Sequence, residues 1–242
     1  MQLSIPYYTG QTRSGTVTIA GINYTVTQGI TAVTPNLAAD FGSQGLWMLQ
    51  NGTWKQISAA SPDKLATYAQ KIVASFPGSG VYQYDGTTLT RISSNGSVQN
   101  MVGSDAVYVD TGVLSRWNGT WTSLSGADPK NMAASGSLLY VDFSPWGLWQ
   151  WNGTSWAQIN NGSPVSMVAS GTNLYADYGV WGLWRWNGTT WAQLSPSAPT
   201  DMAASGQNLY VGFGVWGVWQ WNGSSWAVLS SQIAHKITVT GN

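Results

Sequence analysis

The chain has 242 residues, nine basic and nine acidic side chains, one His and no Cys, so its formal net charge is zero. Charged residues make up 7 % of it, against about a quarter in an average soluble protein, while 43 % is hydrophobic and 16 residues are Trp. Neutrality argues against a nucleic-acid groove or an anionic membrane surface, no apolar run approaches the roughly 20 residues of a membrane span, and without Cys the redox compartment stays open.

Met1 to Pro6 is too polar and too short for a secretory leader. Residues 3–7, 15–21 and a segment around Tyr24 read as three strands. Residues 30–58 then carry Asp40, Gly45, Trp47 and an Asn51-Gly52 pair before Trp54. Residues 65–93 carry Phe76, Gly80, Gly86 and Leu89, and residues 101–125 carry Tyr108, Asp110, Trp117, Asn118-Gly119 and Trp121. From there the chain says nearly the same thing three times, over 132–160, 167–195 and 202–230. Trp149, Trp184 and Trp219 recur at intervals of 35 residues. Ile30, Leu65, Met101, Met132, Met167 and Met202 open the successive units, all apolar. A fixed period of this size marks a repeat architecture, in which no unit buries its apolar face alone.

The last copy shows the unit best. Four short strands are expected at Asp201–Ser205, 209–213, Val218–Trp221 and 226–229, with Gly206, Gly214 and the Asn222-Gly223 pair in the turns. Asn-Gly between apolar residues predicts a type I′ hairpin, and Trp221 and Trp226 should pair across it. No stretch shows the 3.6-residue period of a helical repeat. Four strands per unit of about 35 residues predict an all-β protein, a β-propeller.

At the end of the chain, 236–241 matches the first strand of a unit, while the head supplies the other three. The tail (233–242) with the head (1–28) would close a seventh blade and remove the sheet edges. The whole chain, 1–242, is then a single domain. The alternative is six blades plus a terminal β-hairpin. Ser14 to Gln28 resembles the last hairpin of bacterial BACON-type β-sandwich domains, which would make the head a remnant of another domain.

Catalytic chemistry is hard to build from these residues. The lone His235 reads as a surface or rim residue. No calcium loop, HExxH motif or phosphate-cradling glycine loop is present, so no catalytic residue, metal ligand or cofactor is expected, and no enzyme. Asp40, Asp110, Asp142 and Asp177 hold one position of the unit, where the last copy has Gly212. A residue repeated around a ring either ties down the next loop's N–H groups or belongs to several equivalent sites. Asn-Gly-Ser/Thr triplets, formal glycosylation acceptors, are explained at the hairpins by turn geometry.

Most Trp read as core: Trp149, Trp184 and Trp219, with Trp151, Trp186 and Trp221 two residues on, should face a neighbouring blade by period-2 alternation. Trp146, Trp181 and Trp216 differ, because they fall in the loop between second and third strands. There, beside Asp142 and Asp177, they could form shallow pockets in which an indole face meets a sugar ring and carboxylates take its hydroxyls. Folding over the blade edge as packing is the competing reading.

The units resemble the repeats of propeller lectins of the tectonin and tachylectin type, on the spacing of Trp, Gly and Asn-Gly over 30–230, and repetitive propellers of bacterial surface and secreted proteins. The resemblance implies a multivalent glycan-binding module: partners would be glycans or glycoconjugates, with Trp146, Trp181, Trp216, Asp142 and Asp177 as ligand-binding residues, in a monomer outside the cell or on its surface. The loop Trp is missing from the blades around Gly45, Gly80 and Gly112, which limits the sites to two or three. The second reading is a structural or protein-interaction scaffold of a surface or secreted protein.

Overall fold

A computed structural model describes residues 13–19, 22–28, 37–50 and 53–237. Among the described residues every element is a strand, apart from three single-turn 3-10 helices. Each sheet is an antiparallel meander of consecutive strands: one of two strands, one of three and five of four. Blades 2 to 6 are the four-stranded sheets spanning 64–93, 100–125, 131–160, 166–195 and 201–230, and blade 1 is the three-stranded sheet spanning 37–58. Its expected first strand at Ile30 lies outside the described residues, as does the expected strand at 3–7; of the strand expected at 236–241 only Lys236 and Ile237 are described, and neither is in a strand.

The first strands of blades 2 to 6 are neighbours in order, Lys64–Tyr68 beside Asn100–Gly103, then Asn131–Ser135, Ser166–Ser170 and Asp201–Ser205. Met132, Met167 and Met202 line a central channel of about 430 Å³. Ile237, from the tail, lines it too. Its backbone N–H donates to Asp201 Oδ2 at 2.5 Å.

Burial explains why the second strands look uniformly apolar. Val107–Asp110 is buried throughout, and Leu138–Asp142 and Asn173–Asp177 are buried at all but the first position. A sheet covered on both faces has no solvent side, so alternation is lost. Apolar clusters join adjacent sheets, two between blades 1 and 2 and one at each later junction, such as Leu114 and Tyr108 with Leu139 and Val141 between blades 3 and 4. The outer strands, such as Trp156–Asn160, expose two or more consecutive residues, here Ala157 and Gln158.

The Gly-Leu-Trp signature has a specific cause. In blades 2 to 6 and in blade 1 the pairing of third and fourth strands slips at the third strand's start, as between Leu148 and Trp149 or Leu183 and Trp184. The extra residue, such as Ile159 or Leu194, lies on the fourth strand, which such a bulge bends. The glycine ahead of the third strand is obligatory: Gly182 has φ +78°, and a Cβ there would lie 2.2 Å from the Ser195 carbonyl oxygen.

One turn expectation is corrected. Among the described residues the Asn-Gly hairpins are not type I′, because only the Gly, as in Gly188 at φ +98°, has positive φ. In blades 4 to 6 the loop has four residues, and the Asn side chain organises it: Asn187 Oδ1 accepts the N–H groups of Thr189 and Thr190 at 2.9 and 2.8 Å. The expected aromatic pair across it is present, with Trp221 and Trp226 ring centroids 5.5 Å apart. The head hairpin, Arg13–Ile19 with Ile22–Gln28, pairs Ile19 with Ile22 and Val17 with Tyr24. Two residues thus separate its strands, against four in blades 2, 4, 5 and 6.

Candidate functional site

The bulge, the loop before it and the outer strand of the preceding blade together form a groove at the blade junctions. Between blades 3 and 4 it is lined by Leu124, Ser125 and Ala127 on one side and Phe143, Trp146, Trp149 and Trp156 on the other, and encloses about 310 Å³. Between blades 5 and 6 the equivalents are Leu194, Ser195, Phe213, Trp216, Trp219 and Trp226, around about 270 Å³. Tyr178, Trp181, Trp184 and Trp191 hold these positions between blades 4 and 5.

Each loop Trp is the exposed lip. Trp146, Trp181 and Trp216 are 62 %, 73 % and 63 % exposed. The loop beneath is rigid: Trp149, Trp184 and Trp219 donate their indole N–H to the carbonyls of Trp146, Trp181 and Trp216 at 3.0, 2.8 and 2.8 Å. Phe143 meets Trp156 edge-on, ring centroids 5.4 Å apart, and Phe213 meets Trp226 in the same way at 5.6 Å. The outer-strand Trp also stitch blades together, since Trp191 Nε1 donates to the Ile159 carbonyl and Trp226 Nε1 to that of Leu194.

Sequence reasoning singled out the lip and missed the walls. Trp149, Trp184 and Trp219, expected in the core, are only partly buried, and Trp149 and Trp219 line the grooves. The fully buried aromatic residues are instead Tyr108, Tyr140 and Tyr175. Alternation holds along the third strand, which pairs with the second without a slip, but it does not give how much of that face the preceding blade leaves open.

The two aspartates sit elsewhere. Asp142 and Asp177 are buried beneath the loop, and neither is among the groove-lining residues. Asp142 Oδ1 accepts the Ser144 N–H at 3.0 Å and Asp177 Oδ1 that of Gly179 at 2.8 Å. Burial raises the Asp177 carboxyl above the ordinary carboxylate range, with the Gly179 N–H opposing it. Gly212, the sixth-blade equivalent, leaves space that the tail uses: a Cβ there would lie 3.4 Å from Ala234 O and from Ile237 Cδ1.

The earlier blades vary the lip and the walls. In blade 1 Gln44 takes the lip position, receiving the Trp47 indole N–H on its carbonyl at 2.8 Å. At the junction of blades 2 and 3, Thr111 and Ser115 replace the aromatic walls, leaving Trp121 beside Ser93, Ser94 and Asn95 around about 460 Å³. His235 is exposed. Among the described residues no three His, Asp, Glu or Cys side chains cluster to hold a metal, and no helix is long and apolar enough to cross a membrane.

No protein-family profile matches the chain, and no curated protein matches it in sequence. Solved structures do match in fold. PorZ, a bacterial surface component of the type-IX secretion system of Porphyromonas gingivalis, aligns at TM-score 0.51 and 16 % identity, over 79 % of this chain and 31 % of PorZ. The chain thus spans under a third of that protein. BBS1N in complex with ARL6DN aligns at TM-score 0.56 and 14 % identity, over 83 % of this chain and 78 % of that one. YCF48 bound to D1 peptide aligns at TM-score 0.57 and 12 % identity, over 79 % and 77 %. At these identities the likeness concerns architecture, and with the repeated antiparallel sheets it identifies the fold as a β-propeller.

Proposed function

We propose that this chain is a non-catalytic, multivalent binding module whose blade-junction grooves take carbohydrate, acting as a monomer outside the cell or on its surface. One observation carries the reading: equivalent grooves, each with an exposed Trp lip fixed by a hydrogen bond from its own wall, recur on one rigid scaffold. Flat indole faces suit the C–H face of a sugar ring, and several weak sites gain avidity on a dense glycan surface. The hydroxyl partners would be Ser125, Ser195, Ser197 and loop carbonyls, because Asp142 and Asp177 are sealed below. The test is a glycan array with the chain and its Trp146/Trp181/Trp216→Ala variant. Binding by the first and not by the folded second supports the reading, and a blank array for both sinks it.

A protein-interaction scaffold is the second reading, favoured by the mainly aromatic and aliphatic groove walls. Such a groove suits an apolar side chain of a peptide, and one structure of similar fold holds a peptide. Peptide-library selection abolished by the same triple substitution, with a blank glycan array, would establish it.

The architecture we favour has seven blades, with the tail supplying an inner strand beside blade 6. Supporting it are the Ile237–Asp201 hydrogen bond and the place of Ile237 at the channel. Deleting 235–242 should then lower the melting temperature strongly and promote association. An unchanged melting temperature would favour six blades.

A further inference from the structure

Asp110 stands at a position whose partner is fixed in other blades by a hydroxyl. In blade 1 the Ser61 hydroxyl donates to Asp40 Oδ2 at 2.7 Å, and in blade 4 the Ser163 hydroxyl donates to Asp142 Oδ2 at 2.5 Å, with 21 residues between partners each time. Each of these serines precedes a proline, Pro62 or Pro164. In blade 3 the residue before the corresponding Pro129 is Asp128, a group with no proton to donate when ionised.

Asp110 cannot turn to water instead. It is fully buried; its Oδ1 accepts the Gly112 N–H at 2.9 Å, and its Oδ2 is sealed from solvent without a donor. A buried carboxylate oxygen left unpaired is costly, and two carboxylates brought together cannot both stay ionised cheaply. We propose that Asp110 and Asp128 share one proton in the folded protein, making the blade 3 linker a proton-binding site that couples its stability to pH.

The surroundings agree. Burial, then the Asp128 carboxyl, push Asp110 up to about 6, against the opposing Gly112 N–H. Asp128 is the charged group facing it. Lys130, the nearest cation along the chain, is engaged by Ser163 at 3.0 Å, and Arg116 is bound to Asp105 at 3.1 Å. The cores on either side contribute Val81 and Val109, and Leu114, Val141 and Phe143, none of which is charged. Asp128 itself is exposed, so the shared proton can exchange with solvent.

The sign follows from proton uptake. With its folded value above that of the unfolded chain, Asp110 holds a proton in the native state that the unfolded state has released. This stabilisation is complete below the unfolded value near 4 and is lost as pH rises through about 6. The test is melting temperature against pH for the chain and its Asp128→Ser variant, which supplies the hydroxyl of blades 1 and 4. The chain itself should melt about 5 °C higher near pH 5 than near pH 8. Asp128→Ser should shrink that difference and raise the melting temperature near pH 8. Asp177, also shifted up, acts alike in both proteins and cancels. Carboxyl ¹³C NMR of the unsubstituted chain should show Asp110 titrating near 6. Parallel pH profiles for the two proteins, or an Asp110 signal titrating in the ordinary carboxylate range, would overturn the proposal. Should Asp128→Ser fail to fold, Asp128→Asn, which offers an amide donor, is read in the same way.

Discussion

Blades 4 to 6 and blades 1 to 3 share a skeleton and differ at the lip. Both halves keep the outer-strand bulge opposite the start of the third strand, and all but blade 3 keep a positive-φ glycine directly ahead of that start. Aspartates with a loop N–H on Oδ1 also occur in both halves, at Asp40, Asp110, Asp142 and Asp177. The lip is Trp146, Trp181 or Trp216 in one half, and Gln44 or Ser79 in the other. Residues that close the backbone recur around the ring, whereas the one that only faces outward varies. Recurrence across both halves therefore marks folding, and recurrence confined to one half marks something the lip does.

The largest effect should come from the shared skeleton. Gly182→Val and Gly45→Val place a Cβ 2.2 Å from a carbonyl oxygen, Ser195 or Ser58, at φ near +80°. Each should destabilise by about 3 kcal/mol or more in denaturant unfolding, alike in the two halves. A mild effect at Gly45 alone would mean that the halves do not share this constraint.

Next come the groove walls. Trp184→Ala should cost about 2–3 kcal/mol, at or below the usual range for a fully buried Trp, because its indole is only partly buried. The lip should matter least to folding: the triple change Trp146/Trp181/Trp216→Ala should cost about 1 kcal/mol or less per site while abolishing ligand binding. A cost matching that of Trp184 would move the lip into the skeleton and erase the distinction. Gln44→Trp sharpens it from the other side and should leave stability within about 0.5 kcal/mol.

The smallest effects lie in the hairpin loops. Asn187→Ala removes the acceptor of two backbone N–H groups and should cost about 1 kcal/mol. Thr189→Ala removes only the hydroxyl contact to Asn187 and should cost about 0.5 kcal/mol. Equal costs would mean that Asn187 does not organise the loop.

The repeat was legible because the 35-residue interval fixes which residues are equivalent, so the strands from Lys64 to Ser230 could be placed to within a residue or two. The Trp146, Trp181 and Trp216 loops were legible as exposed because each lies between a strand end and a glycine. Asp142 and Asp177 were misplaced beside them, since sequence adjacency does not reveal that the loop folds back over the carboxylate. The groove walls escaped because alternation gives the face that Trp149 shares with Trp151, not how much of it the preceding blade leaves open. The bulge in the outer strand left a trace of its own: a Gly recurring directly before a β-branched or Leu residue at the third strand's start signals a backbone that no Cβ fits.

The stitches between blades have a consequence for how such a chain can change. Trp121, Trp191 and Trp226 each reach a main-chain carbonyl of the preceding sheet, at Ile92, Ile159 and Leu194. A carbonyl is present whatever side chain its residue bears. These stitches, unlike the side-chain clusters beside them, therefore fasten a blade to its predecessor without reading its side chains, and a copied unit arrives already able to make them. Its neighbour stays free to drift, so one interval of the gene can be duplicated and the copies turned to different surfaces without a matching change next door.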